Sequence, residues 1–345
     1  MSREQKKILV TGGAGYIGAV LVPHLVAQGY DVRVFDALHF GDDALSGVTG
    51  QIEIVRGNIL HPPDEIFDNV SAVIHLAGVS SQAFAARHSP RYTDLVNHIG
   101  TEVFAKKAKA HGIARFIFAS SCSIYCSYKY DANAVIQTYT EQDDAPMAGP
   151  YALSKRAAEE ALFELLDDDF QPIMLRKGTL YGFSPKMRYD LVVNAFTKDA
   201  FKDKKISVHA AGEIYRPLTD IQDVVFAYTK ALELPLEMVG GQIFNIAGEN
   251  KKIGAFAEEF EEYIQEKIEE PIEIDVHPFE VVMNYKADNK KFKDVFGWTP
   301  QRTRKEAIFE IWDQLAAGHD YTNPKYYNDA WHKEALAQGI LRTDI

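Results

Sequence analysis

Ile8-Leu9-Val10-Thr11-Gly12-Gly13-Ala14-Gly15-Tyr16-Ile17-Gly18 is the stretch of this 345-residue chain from which the rest can be ordered. Ile8-Leu9-Val10 is a short apolar run of the kind that forms a strand buried on both faces, and Val20, Leu21, Val22 and Leu25 then supply the apolar side of a helix. Gly13, Gly15 and Gly18 satisfy G-x-G-x-x-G in the setting that pattern needs, with a strand before it and a helix after. One glycine turns the chain, one lets backbone approach a pyrophosphate, and one lets helix pack on strand, while the helix N-terminus faces the anion. Gly12, Tyr16 and Ile17 complete the expected phosphate loop. A second strand over 31–35 ends at Asp36, 18 residues past Gly18, where a carboxylate would take the ribose hydroxyls of an adenosine. Ala37-Leu38-His39 offers little to a 2′-phosphate, so the expected cofactor is NAD rather than NADP. A glycine turn with no ligand is the alternative.

Outward from this unit the alternation of strand and helix continues. Residues 52–55 read as a third strand, followed by Gly57-Asn58-Ile59 where the adenine edge would lie. Residues 71–78 read as a fourth, ending in Leu76-Ala77-Gly78, small enough for a flat cofactor to lie against backbone. His75 sits inside that apolar run and reads as a satisfied core histidine. A helix over 90–111 carries Leu95, Val96, Ile99, Val103 and Phe104 on its apolar positions. Asn97 interrupts that face, either as a polar group behind the following catalytic helix or as a partly exposed side chain, and is placed with the cofactor-binding set.

A fifth strand, 115–119, runs into Ser120-Ser121-Cys122-Ser123-Ile124-Tyr125. In a parallel sheet the carboxyl ends of strands border the ligand crevice, so one of these hydroxyls should face the nicotinamide; serines that merely cap the strand are the alternative. The polar loop 128–148 is longer than connections usually are and has the character of a substrate lid. Gly149-Pro150-Tyr151-Ala152-Leu153-Ser154-Lys155 then opens a helix with proline at its first position and sets Tyr151 and Lys155 one turn apart on one face. Bringing a phenol from a pKa of about 10 to about 7 means favouring the phenolate by roughly 4 kcal/mol. A neighbouring ammonium and a cationic nicotinamide ring could supply much of that. Such a pair also occurs by chance on amphipathic helices, and only its company gives it weight.

A sixth strand over 172–176 follows, and after Gly182 the rhythm breaks down. The predicted architecture is α/β: a Rossmann-type doubly wound parallel sheet over 1–180, with 217–247 returning to it, and a smaller C-terminal α/β substrate domain from 181–216 and 248–318. Residues 319–345 form a polar and aromatic tail. With 46% hydrophobic and 12% aromatic residues a sizeable core is expected. A net charge of -12 argues against nucleic acid as a partner. No apolar run reaches the length of a membrane span, and no signal-peptide pattern is evident. Cys122 and Cys126 have neither metal-site nor disulfide spacing, which fits a cytoplasmic protein without a metal.

With the glycine loop, Asp36, the Ser120-Ser121 strand end and the Tyr151/Lys155 pair in this order, the chain resembles the extended short-chain dehydrogenases/reductases. More closely, it resembles the NAD-dependent nucleotide-sugar epimerase/dehydratase family of the UDP-glucose 4-epimerase type, from Lys7 to about Ala316. The resemblance implies catalysis by Ser121, Tyr151 and Lys155, with Tyr151 as base, Ser121 on the same substrate oxygen, and Lys155 on the ribose while depressing the tyrosine pKa. It implies that Arg216, in Arg-x-x-x-Asp-Ile-x-Asp, grips a sugar-nucleotide diphosphate. A salt bridge from Arg216 to Asp220 or Asp223 is the alternative. Ser123, Tyr181 and Asn194 are further candidates for the sugar pocket. A homodimer through a four-helix bundle of 90–111 and 150–166 is also implied.

Asn58 stands where the family often has aspartate, Thr179 where the 4-epimerase type often has asparagine, and Cys126 where it often has glycine. Sugar 4,6-dehydratases typically place an acid just after the catalytic hydroxyl residue, and Cys122 and Ser123 offer none. The expectation is therefore a nucleotide-sugar epimerase, with a 4-keto reductase, a dehydrogenase or a 4,6-dehydratase as alternative chemistries and an NAD or sugar-nucleotide sensor as the non-enzymatic one.

Overall fold

A computed structural model of the chain describes residues 7–126, 136–278 and 283–341. Seven strands form one sheet in the order Gln242–Ile246, Gln171–Lys177, Arg115–Ser121, Val70–His75, Lys7–Thr11, Asp31–Asp36, Glu53–Arg56, and every neighbouring pair is parallel. Side chains alternate across a strand, so Ile8 and Val10 enter one core with Leu21, Val22, Val34 and Phe244, while Leu9 enters the other with Phe35, Val73, Phe104 and Phe116. The chain runs outward from the central Lys7–Thr11 strand in one direction, then returns to its other side at Val70–His75. That reversal opens a crevice at the carboxyl ends of the strands.

Glycine is obligatory at two points of the first turn. Gly12 has φ +68, and a Cβ there would lie 2.7 Å from Ala77 N; a Cβ on Gly18 would lie 2.3 Å from Gly13 O. The chain therefore turns at Gly12 rather than at Gly13, which is packed on the Val34 side chain.

The long helix of 90–111 is continuous but not uniform: α-helix at Pro90–Asp94 and Gly100–Ala110 flanks a π-turn at Leu95–Ile99. The π-turn carries Asn97, which is fully buried. Its Oδ1 accepts from Val79 N at 2.8 Å, and its Nδ2 donates to Val79 O and Ser154 Oγ. Of the two readings open in sequence, the buried polar group is the one found, and Asn97 ties the loop after the fourth strand to the helix Pro150–Glu164.

His75 is fully buried with Thr11 Oγ1 2.9 Å from Nδ1 and Thr101 Oγ1 3.2 Å from Nε2. Burial first, and then the charge of Lys155, push its pKa down to about 3. The folded protein keeps this ring neutral where an unfolded chain protonates it near 6.5, so its contribution is complete above pH 6.5 and is lost as pH falls toward 3. About 1.4 kcal/mol of stability should disappear between pH 7.5 and 5.5 on this account alone. Urea unfolding of wild type and His75→Gln at both pH values checks it; an equal pH dependence in the two proteins would refute the assignment.

Beyond Lys177, strands Thr179–Tyr181, Tyr215–Asp220 and Glu249–Lys252 form a three-stranded sheet, and Lys205–Val208 pairs with Glu273–Val276. Their core, which includes Phe196, Phe256, Phe260, Ile264 and Trp312, lies beside the crevice. The reading of 128–148 as a lid falls partly outside the described residues, at 127–135. Its later part is pinned down: Thr138–Tyr139 pairs with Lys286–Ala287, Tyr139 stacks on Tyr125 at 5.1 Å, and Met147 N donates to Ile124 O. No helix among the described residues is long and apolar enough to cross a membrane, and Cys122 and Cys126 are buried and not joined in a disulfide.

Candidate active site

The crevice is a cavity of about 1100 Å³ whose wall includes Gly12, Gly15, Tyr16, Ile17, Gly18, Asp36, Asn58, Ile59, Leu76, Ala77 and Gly78. All of these are sequence-expected cofactor residues; Gly13 and Asn97 stand behind the wall. Gly15 is where a dinucleotide backbone fits best, because a Cβ there would meet only Gly12 O, at 3.2 Å. Asp36 takes one backbone N–H on each oxygen, from Ala14 and Leu38, which fixes its carboxylate and leaves lone pairs for ribose hydroxyls. Asn58 accepts from Leu60 N through Oδ1, so its NH₂ is the end free to read an adenine. Gly78 has room for nothing larger, since a Cβ would lie 2.9 Å from Asn97 Oδ1 and 3.3 Å from Lys155 Nζ. The residues fit an adenine dinucleotide along their whole length.

At the far end of this groove the same wall carries Ser121, Ser123, Tyr151 and Lys155. The strand Arg115–Ser121 delivers Ser121, and the helix Pro150–Glu164 delivers Tyr151 and Lys155 from its first two turns. The Ser121 hydroxyl lies near enough to the Tyr151 phenol to pull its pKa down. Burial holds the Tyr151 phenol above its ordinary pKa, against the Ser121 hydrogen bond and the charge of Arg188. Lys155 Nζ donates to Ala119 O at 3.0 Å and lies 4.8 Å from the centre of the Phe118 ring. Its own pKa is lowered to about 8 by burial, with Glu159 opposing.

Arg188 is the cation that sequence reading missed. Its Nε and Nη2 form a two-point pair with Asp190 at 2.9 and 2.7 Å, and Nη1 donates to Ser80 Oγ. It occupies Pro185-Lys186-Met187-Arg188-Tyr189-Asp190, a stretch without helical or strand periodicity, and the density of charge next to Gly182 was its only signal. Lys177, whose Nζ donates to Ser120 O at 2.8 Å, also lines the cavity and was not singled out.

The substrate candidates divide. Ser123 is buried in the wall with an Oγ that has no hydrogen-bond partner among the described residues. Arg216 lines the same cavity; its Nη1 donates to Tyr215 O and Met283 O, and its guanidinium lies 5.4 Å from the Tyr285 ring centre. The alternative for Arg216 is not realised, because Asp220 pairs with Arg302 at 2.9 Å and Asp223 accepts from Trp298 and Gln301. Among the described residues Arg216 has no carboxylate partner. Tyr181 and Asn194 are buried behind the wall. Asn194 accepts from Gly182 N and donates to Tyr16 OH, and Tyr16 OH donates to Gly182 O at 2.7 Å, so Asn194 positions the glycine loop against 182–191. Cys122 also faces away, with Sγ donating to Arg176 O. No cluster of three metal-ligating groups exists among the described residues.

The sequence profile described as the NAD dependent epimerase/dehydratase family matches residues 8–247. A UDP-N-acetyl-alpha-D-glucosaminuronate decarboxylase of Bacillus cytotoxicus is 26% identical over 323 residues, spanning 89% of this chain and 96% of its own length. A UDP-glucose 4-epimerase of Bacillus subtilis is 25% identical over 335 residues, spanning 88% and 95%. Among solved structures, the UDP-glucose 4-epimerase of Thermotoga maritima with UDP-glucose superposes with a TM-score of 0.75 at 25% identity, over 90% of this chain and 99% of that one.

Proposed function

Because the chain belongs to the NAD-dependent epimerase/dehydratase family and is an NAD-using enzyme, we propose that it epimerises a nucleotide-diphosphate sugar by transient oxidation of a ring hydroxyl, at C4. The observation that carries this reading is what the cavity places beside Tyr151. Ser121 and Tyr151 meet there, but every carboxylate of the wall among the described residues already has a partner: Asp36 takes backbone amides, Asp190 takes Arg188, and Asp329 takes Ser81 Oγ. A dehydratase needs a free acid to take the C5 proton. An epimerase needs only one base, a hydroxyl partner and room for the keto-sugar to turn.

The chemistry a bound dinucleotide supplies is acceptance and return of a hydride at the sugar carbon. Tyr151, held by Ser121, takes the hydroxyl proton and later gives it back; Ser121 also bonds the reacting oxygen. Lys155, buried beside Gly78, is placed to hold the ribose of the cofactor. Arg188 offsets part of the cost of a phenolate. Arg216, without an acid of its own, takes the substrate diphosphate, and Ser123 offers its unused hydroxyl to the sugar.

The reading is tested by mass spectrometry of UDP-, GDP- and dTDP-sugars incubated with the protein and NAD, with absorbance followed at the NADH band. A product of unchanged mass and altered retention is expected. Loss of water, or loss of two hydrogens with NADH accumulating, would replace the epimerase reading. Arg216→Met should raise KM by about 10–100-fold with little change in kcat, the size of a lost charge-assisted contact. An unchanged KM would remove Arg216 from the diphosphate site. The same reading includes a cytoplasmic homodimer: Leu153 is 52% exposed on the Pro150–Glu164 helix and Phe163 36%, and pairing this helix with the helix over 90–110 across a twofold axis would cover them. A monomeric mass by light scattering would exclude it.

A further inference from the structure

The family profile ends at residue 247, yet the cavity wall extends to the helix Asn328–Ala337 and the residues after it. Asn328, Asp329, His332 and Ile340 all line it. The helix Asn328–Ala337 lies across three separate loops at the carboxyl edge of the sheet. On the loop that follows Asp36, Trp331 packs 4.5 Å from the Phe40 ring and 5.7 Å from His39. On the loop after Gly78, Asn328 Nδ2 donates to Ser80 Oγ and Ser81 Oγ donates to Asp329 Oδ1. On the loop after Gly182, Lys186 Nζ donates to Asn328 Oδ1 at 2.8 Å while lying 3.8 Å from the Phe40 ring centre, and Tyr189 N donates to Tyr326 O. These loops flank Asp36 and the Leu76-Ala77-Gly78 backbone, where the adenosine half of the cofactor is expected.

We propose that the C-terminal segment 324–341 is a wall of the adenosine end of the cofactor site, and that NAD enters and leaves only when this segment undocks. The attachment is built for local opening. It consists of a few polar bonds, ring contacts of Trp331 and His332 with Phe40, of His332 with Phe84 and of Tyr326 and Tyr327 with Tyr189, and a small cluster in which Ala335 and Leu341 are buried against Val79, Phe84 and Tyr92. These partners lie on loops and short helices and none on a strand of the large sheet, so the segment can release without unfolding the sheet. A docked segment keeps one cofactor through many turnovers. That suits a reaction which returns its hydride to the same sugar, and it would throttle a net dehydrogenase or reductase, which must exchange cofactor every cycle. The inference itself rests on NAD binding and not on which sugar reaction is run.

Two measurements on the full chain test it without any sugar nucleotide. Hydrogen exchange of amides in 324–341 should slow by about 10-fold or more when NAD saturates the protein, since a ligand that binds only under the docked segment stabilises docking. In the Asn328→Ala/Trp331→Ala double variant, release of NAD into an excess of labelled NAD should quicken by about 10-fold or more, from loss of the Lys186 and Ser80 bonds and of the ring contacts with Phe40 and His39. Slowed exchange in wild type with faster release in the variant supports the proposal. Segment amides indifferent to NAD, or a release rate unchanged in the variant, overturns it. The sugar panel, which reads the reaction and not cofactor exchange, would stand or fall separately.

Discussion

Tyr151→Phe should lose about 10³-fold or more in turnover while retaining NAD in stoichiometric amount, because it deletes one proton-transferring oxygen and nothing that the dinucleotide touches along Gly15, Asp36 and Gly78. The ring stays in place and Ser121 keeps its site, so the variant should fold as wild type does. The phenol is held above its usual pKa by burial. The fraction able to act as base therefore grows as pH rises, and wild-type turnover should climb from pH 6 toward 9. Measurement of kcat by product chromatography, of NAD by absorbance after acid release, and of the pH profile together decide the matter. Residual turnover within a few-fold of wild type would move the base to another group of the wall, such as Lys177, which pairs with Ser121 at the end of the neighbouring strand.

The sheet could be read because its signals are local. Each buried strand announces itself as an apolar run, and the glycines between the first strand and its helix are demanded by contacts within a few residues or across one neighbour, as Gly18 against Gly13 and Gly12 against Ala77 show. The pair Tyr151/Lys155 was readable for the same reason, since helix geometry alone puts both at the cavity. What each then does was not readable. Lys155 bonds Ala119 O because the end of the Arg115–Ser121 strand passes beneath the helix, a fact of packing between elements 36 residues apart. Asn194 has a polar type that suits a sugar pocket, yet it satisfies Gly182 N and Tyr16 OH.

Non-local placement hid the remainder. Arg188, Asp190 and Lys186 lie in a segment with no period to assign to a face, and their importance comes from where Ser80, Phe40 and Asn328 stand. The polar and aromatic tail carried no clue to its docking, because its partners sit some 140–290 positions earlier in the chain. The dependence of the site on its second layer is equally invisible in sequence.

That second layer yields the largest stability effect expected here. Arg176 and Glu159 are 1% and 0% exposed, joined by Nε–Oε1 at 2.8 Å and Nη2–Oε2 at 2.6 Å. Ser120 Oγ donates to Glu159, and Arg176 Nη1 donates to Tyr125 OH, which donates on to Asn245. Burial alone would lower the Arg176 pKa, but the bonds to Glu159 more than offset this, so Arg176 stays charged inside the protein. Removing one partner strands the other's charge: Arg176→Met should cost about 3–5 kcal/mol. Replacing both with apolar groups of similar volume removes the stranded charge, so Glu159→Leu/Arg176→Met should cost less than either single change. Catalysis should not recover with stability, because Glu159 sits one turn beyond Lys155 and sustains its charge, while Ser120 adjoins Ser121. Urea unfolding of the three variants beside wild type reads the coupling. Additive losses would mean that the pair is solvated in the folded protein. A double variant that regained both stability and full turnover would mean that the network only fills space behind the site, and that Lys155 needs no carboxylate to stay protonated beside the ribose.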